Sequence, residues 1–379
     1  MLWDASASQN YRVLFRVHHT RLFQQAFIMV EMSTQIWRRD LTSLPPHPTL
    51  GVAMTTCNGS RFVTTQVRSI LNQQLPIDEL TIGDDDSGDD TVEIVQGLVD
   101  DFNCQHPSHQ IRLNWRLHRP RIGIRDNFSD AISATTTDVV FLSDQDDEWG
   151  PEKTTVLTAA LRNAELVHSD AVLTGSDGQP LGNPQRPKTL LRELKASPSE
   201  LQNLTGGDAF SVLLKRNLIT GATVAMRGEF ARENMPTPPG LLHDEWLAMM
   251  AALDGRLRLV ETSVQHPLTY YRQHGGNAVG ARKITLRDRW KQLTAGNESD
   301  NQRRLTRARS LAQAADKRQL GTPQQRHDLV KALAHQQSRS ELPRHRLARI
   351  PGIAAEVIQG NYSRYSRGWL TIIRDLLSA

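Results

Sequence analysis

Cysteine is nearly absent. Cys57 and Cys104 are the only two in 379 residues, too few for a disulfide framework, so a reducing compartment is expected. Long apolar runs are missing too. No window approaches the ~18 unbroken apolar residues of a membrane-spanning helix. Arg12, Arg16 and Arg21 break the apolar runs of the first 30 residues, which a secretory signal would not tolerate. The glycine-rich phosphate loops are lacking: no G-x-G-x-x-G follows the first strand pattern, and no G-x-x-x-x-G-K-[ST] occurs. No Ser or Cys with a paired His stands out as a nucleophile. A bound phosphate is therefore not held by a glycine loop, and no covalent enzyme intermediate is indicated.

The formal net charge of +4 hides an asymmetry. From Lys283 to Ala379 there are 19 Lys/Arg against 8 Asp/Glu, a net +11, which leaves −7 on the remainder. A basic tail on an acidic body points to an anionic partner surface, or else to a solvated helical face. No aromatic-interleaved basic stretch or zinc spacing supports nucleic acid as that partner.

Residues 1–48 show no clean periodicity and end in the breaker run "SLPPHPT", so a loosely structured extension is expected there. From Leu50 the pattern alternates. "LGVAMTT", "LTIG", "IRLNW" and "DVVFLS" read as buried strands. Between them, residues 60–74, the stretch from Val92 to Phe102 and residues 124–135 read as helices with one apolar face. Pro151 is expected at the first position of a further helix, with Val156, Leu157, Ala160 and Leu161 inward. This order predicts a largely parallel, doubly wound sheet, whose ligands bind beyond the carboxyl ends of its strands.

At one such end stands "FLSDQDDEW", residues 141–149. Hard oxygen ligands there suit Mg²⁺ or Mn²⁺ held through one or two carboxylates, with positions left for substrate phosphates. Asp144 and Asp146 would then sit where a nucleotide's diphosphate ends. The alternative is an acidic loop that only caps the following helix.

Four stretches follow one another in order: "VAMTTCNGSRFVTTQVRSILNQQLPIDELTIGDDDSGDDT", "RIGIRDNF", "VVFLSDQDDEW" and "LLHDEWLAMMAALDGRLRLVETSVQHPLTYYRQHGGN". Together they resemble family 2 glycosyltransferases, particularly the bacterial rhamnosyltransferase-like branch. The resemblance implies a GT-A, Rossmann-like α/β domain over 49–282 with a mixed, mainly parallel sheet, followed by a basic helical region over 283–379. It implies an inverting, metal-dependent transfer of a hexose from a dTDP- or UDP-linked donor to a glycan or lipid-linked glycan of the cell surface. A sugar nucleotidyltransferase and a degenerate module that binds without transfer are the alternatives. The implied location is cytoplasmic, with peripheral contact on the inner face of an anionic membrane.

Carried over by position, the donor contacts are Thr56, Cys57, Asn58, Asp85, Asn127, Asp144 and Arg272. The metal ligands are Asp146 and His274, the cofactor Mg²⁺ or Mn²⁺. The catalytic base is Asp244, with Glu245 second. Gly221, His243 and Trp246 fall on the acceptor side. Asp147 is expected behind the metal ligands, Phe128 in the core and Trp149 packed under the acidic loop. The family prefers glycine where this chain has Asp86 and Asp90, so both are expected at positive φ, which Asp tolerates better than most residues.

Overall fold

The computed structural model describes residues 43–274, 298–343 and 345–377. Most of the extension expected over 1–48 lies outside these residues, as do Gly275, Gly276 and Asn277 of the last motif.

The first half is a run of parallel units. Strand β1 (Leu50–Thr56) leads to helix α1 (Val63–Leu71), β2 (Glu79–Asp85), α2 (Thr91–Gln105), β3 (Arg112–His118), α3 (Ile124–Ala134) and β4 (Val139–Ser143). β1 lies between β2 and β4, in parallel register with both. Helices cover both faces of these strands, so Val52, Met54, Leu80, Ile82 and Val139 to Leu142 are fully buried and read as continuous apolar runs.

The second half adds β5 (Glu148–Trp149), α4 (Lys153–Ala160), β6 (Leu166–Ser169), β7 (Val172–Thr174), the small hairpin β8 (Gly182–Asn183) and β9 (Arg186–Pro187), and helices α5 (Pro198–Gly206) and α6 (Ala209–Lys215). Then come β10 (Val224–Arg227), α7 (His243–Leu253), β11 (Leu257–Val260) and β12 (Thr269–Arg272). The main sheet has seven strands in the order β11-β6-β10-β4-β1-β2-β3. β10 is antiparallel to both neighbours; the other six run one way, which is the mixed, mainly parallel sheet expected. A second sheet, β5-β12-β7, lies at its edge. It brings the acidic loop and the "YYR" strand together, because Tyr270 of β12 pairs with Glu148 of β5.

One local expectation is corrected: Pro151 and Glu152 form a turn, and α4 begins at Lys153. Leu157 and Leu161 are buried and Val156 and Ala160 pack against the core, as expected, with Lys153 and Thr154 buried beside them. Residues Gly221–Thr223 form a 3₁₀ turn that leads into β10.

The C-terminal helices are α8 (Glu298–Lys317), α9 (Pro323–Ser340), α10 (Ile350–Ile358), α11 (Asn361–Tyr365) and α12 (Trp369–Leu377). α9 starts at a capping box, with Thr322 and Gln325 exchanging side-chain-to-backbone hydrogen bonds and Pro323 in the first turn. α8 docks on the sheet domain through Leu305, Ala308 and Leu311, all buried. Arg307 adds a 2.5 Å ion pair to Glu245 and a 2.8 Å hydrogen bond to the Leu213 carbonyl.

Candidate active site

The loops at the carboxyl ends of β1, β2 and β4 are tied to one another. Thr56 donates to Asp84 Oδ2 at 2.6 Å, and Ser87 donates to the same oxygen at 2.6 Å. Asn58 adopts a positive φ of 49°; its amide donates to Ser87 Oγ and its side-chain oxygen accepts from the Gly88 amide, both at 2.9 Å. Gln145 clamps the first loop to the acidic one. Its Oε1 accepts from the Cys57 amide at 2.8 Å, and its Nε2 donates to the Cys57 carbonyl at 3.1 Å. A side chain at Gly59 would collide with that amide, since an added Cβ lies 2.2 Å from Gln145 Oε1.

Asp85 turns towards the loop before α3 and accepts from the Ile122 and Gly123 amides at 2.7 and 2.9 Å. Asn127 is buried and donates to the Gly83 carbonyl at 2.9 Å. Both therefore shape the wall of the crevice by fixing the backbone around it. Asp86 has the expected positive φ, 61°, whereas Asp90 does not. It precedes α2 at φ −74° with its side chain exposed, so it needs no glycine-like freedom.

The acidic loop gathers the charge. Asp146 Oδ2 lies 2.7 Å from His274 Nε2. The backbone carbonyl of Asp146 accepts from Arg272 Nε at 2.8 Å, and Asp147 Oδ1 accepts from the Arg272 amide at 2.9 Å. Asp147 is 1% exposed, and its Oδ2 has no partner among the described residues. Phe62, from the turn before α1, stacks on the His274 ring at 4.6 Å and takes the Arg272 guanidinium over its face at 5.4 Å.

Asp144 touches solvent but lies deep in the crevice. Its pKa is pushed up to about 7 by desolvation first, then by the charges of Asp146 and Asp244. Asp244, a hundred residues away in sequence, is tied to this region by geometry: its Oδ2 accepts from the Gly221 amide, and the Ala222 carbonyl next in chain accepts from Lys153. Asp147 is raised well above its ordinary value by the same two causes, burial and its neighbouring carboxylates. Beneath them lies a residue that sequence reasoning missed. Lys153 is fully buried, donates to the Ala222 carbonyl at 2.6 Å and stands 3.9 Å over the Trp149 ring. Burial lowers its pKa to about 7 despite the opposing pull of Asp147 and Asp144. Trp149 packs under the loop as expected, 3% exposed.

Asp244 is in the first turn of α7, one residue inside, because Leu242 holds the N-cap position. Its Oδ2 accepts from the Gly221 amide at 3.1 Å and its Oδ1 from the Glu245 amide at 2.6 Å. Desolvation outweighs these hydrogen bonds and raises its pKa to about 7. Gly221 permits this approach: an added Cβ would lie 2.9 Å from His243 Nε2. His243 stacks on Phe128 at 3.7 Å, is 5% exposed, and has no partner on either ring nitrogen among the described residues. Burial lowers its pKa to about 3, so it is neutral at physiological pH. Trp246, expected on the acceptor side, is instead a core residue: 3% exposed, with its indole donating to the Asn234 carbonyl at 2.6 Å. Glu245 faces α8 and is held by Arg307.

Among the described residues no three acidic, His or Cys side chains converge to hold a metal ion unaided. The donors present are nevertheless suited to one. A carboxylate and an imidazole nitrogen 2.7 Å apart, beside a further carboxylate that burial leaves undercompensated, form an incomplete ligand set of the kind a phosphate-bridging cation completes with substrate oxygens.

Residues 51–219 match the family model described as Glycosyl transferase family 2. Among solved structures, Staphylococcus aureus TarS 1-349 in complex with UDP-GlcNAc superposes with a TM-score of 0.50 at 14% identity, over 86% of this chain and 89% of that one. The mannosyltransferase PcManGT from Pyrobaculum calidifontis, in complex with GDP-Man and Mn²⁺, gives a TM-score of 0.43 at 17% identity, over 90% and 88%. No curated protein matches the sequence.

Proposed function

We propose, from the match of residues 51–219 to the family 2 glycosyl transferase model, that the protein moves a hexose, such as rhamnose, from a nucleoside diphosphate to a hydroxyl of a growing cell-surface polysaccharide, inverting the anomeric carbon. The donor would be dTDP-rhamnose or a UDP-hexose.

The observation that supports the reading is the contact of Asp146 with His274, two residues along the chain from Asp144, together with the tether of Asp244 to Gly221, whose neighbour Ala222 accepts from Lys153. Asp146 and His274 would hold a Mg²⁺ or Mn²⁺ ion, which offsets the charge of a departing diphosphate. Asp144 would contact the donor ribose, and the loop held by Asp85 and Gln145 would receive the base. Asp244 is the general base. Its carboxylate is kept in place by the Gly221 amide, and a pKa of about 7 makes it strong enough to take a hydroxyl proton while still ionised in part near neutrality. In a single in-line displacement the acceptor oxygen attacks the anomeric carbon as that proton passes to Asp244. Neutral His243, with two unpartnered nitrogens, stands next in chain to orient the acceptor.

A panel of UDP- and dTDP-sugars tests this, with Mn²⁺ present and a cell-envelope glycan fraction as acceptor. Sugar incorporation with release of nucleoside diphosphate is the expected result. Pyrophosphate released from a nucleoside triphosphate would identify a nucleotidyltransferase instead. Donor binding with no transfer to any fraction would identify a binding module.

A further inference from the structure

The last two long helical segments are built inside out. In α10 the single charged residue, Glu356, is turned inward, where it meets His335 Nδ1 at 2.5 Å and Asn361 Nδ2 at 2.9 Å. The outward positions are aliphatic: Ile350 is 49% exposed, Val357 44% and Ile358 85%. α12 repeats the arrangement. Thr371 and Asp375 are buried, while Trp369 is 67% exposed, with Leu370 and Ile373 exposed beside it. Leu347, just before α10, is 70% exposed. A water-facing surface helix orients the other way, and apolar exposure concentrated on one short stretch marks an interaction surface.

We propose that this face docks the protein on a bilayer surface carrying anionic lipid. The charges around it select that occupant. Arg346, Arg364 and Arg367 are exposed along the same segment. Between Pro343 and Leu377 the acidic residues are Glu356 and Asp375, both turned inward. The face therefore presents aliphatic and indole side chains fringed by guanidinium groups, which suits the boundary between headgroups and acyl chains. No helix among the described residues is long and apolar enough to cross a membrane, so the contact proposed for this face is in plane. A cavity of about 760 Å³ adds a reason for docking here. It is lined by Arg367 and Thr371 of the docking segment together with Arg303, Arg304, Arg307 and Glu245. A bilayer-borne anionic acceptor would meet this largely basic lining.

The test is sedimentation of the full chain with vesicles of phosphatidylcholine alone or with about a quarter phosphatidylglycerol. Retention should rise with phosphatidylglycerol and fall with salt. Ile358→Ser combined with Trp369→Ser should weaken it roughly tenfold or more, and Arg364→Gln combined with Arg367→Gln should remove the preference for phosphatidylglycerol. These side chains are solvent-exposed, so circular dichroism and nucleotide-sugar binding should stay as in the parent. Equal retention of parent and variants would overturn the proposal. So would a lipid-free oligomer that the Ile358/Trp369 variant dissolves, since the face would then belong to a second copy. The readout needs no sugar transfer, so failure of docking and failure of the transferase reading are told apart.

Discussion

The sheet domain and the last helices, α10 to α12, handle charge in different ways. In the sheet domain the core is mainly apolar, and carboxylates gather at the strand ends with a fully buried lysine nearby. Around α10 to α12 a buried ion pair lies inside while several apolar side chains face out. Arg339 and Asp375, both 2% exposed, form a two-pronged pair at 2.6 and 2.8 Å. Tyr362 donates to Asp375 at 2.9 Å, and Arg349 donates to its carbonyl at 2.9 Å. A buried pair completed in this way holds a structure in register. A cluster of like charges left incomplete holds strain that a ligand relieves. The net +11 of the C-terminal region thus overstates what it shows to solvent, because part of it is consumed inside.

The largest effect expected from breaking this contrast is in the crevice. Asp244→Asn keeps the shape and loses the base, so transfer should fall roughly 10²- to 10⁴-fold while donor affinity stays within about twofold. Next is the ionic interior. Asp375→Ala leaves Arg339 buried without its partner and should cost about 3–5 kcal/mol in urea unfolding. A cost below about 1 kcal/mol would show that the pair is solvated in practice.

Smaller, and of opposite sign, is the effect of relieving the carboxylate cluster. Asp144 ionises near 7 in the folded chain and near 3.8 as a free side chain. Between those values the native state keeps a proton that the unfolded chain has released, so this group's contribution to stability falls as pH rises through the window. Asp144→Asn, measured in chelator, should therefore gain stability over the parent above pH 7, and the gain should shrink towards pH 4. A gap that does not change with pH would mean that Asp144 is effectively solvated. Asp244 has the same sign, and its ionisation near 7 should make transfer rise with pH through that value.

Much of this was legible in the chain. β1 occupies the very residues read as a strand, because a central parallel strand is apolar throughout and bounded by turn residues. The acidic loop after β4 was legible for the complementary reason: carboxylates there have no structural excuse. What escaped depends on contacts distant in sequence. Phe62 meets His274 across more than two hundred residues. Lys153 drew no functional reading from the sequence, since a lysine is seldom buried, and only the fold shows the carboxylates that act on it. Trp246 was assigned by position in a motif, whereas its indole is satisfied by Asn234 in the core. The polarity of α10, with Glu356 inward and Ile358 outward, depends on its neighbours and was not read from "IPGIAAEVI".

The claim on which the account turns is that the Asp144–Asp146–His274 cluster binds a nucleoside diphosphate together with a divalent cation. Calorimetric titration of a UDP- or dTDP-sugar into the parent chain and into Asp146→Ala, each with Mn²⁺ and with chelator, tests it most directly. The account predicts binding by the parent that strengthens at least about tenfold with Mn²⁺, and loss of that gain in Asp146→Ala. Equal donor affinity in all four titrations would contradict it.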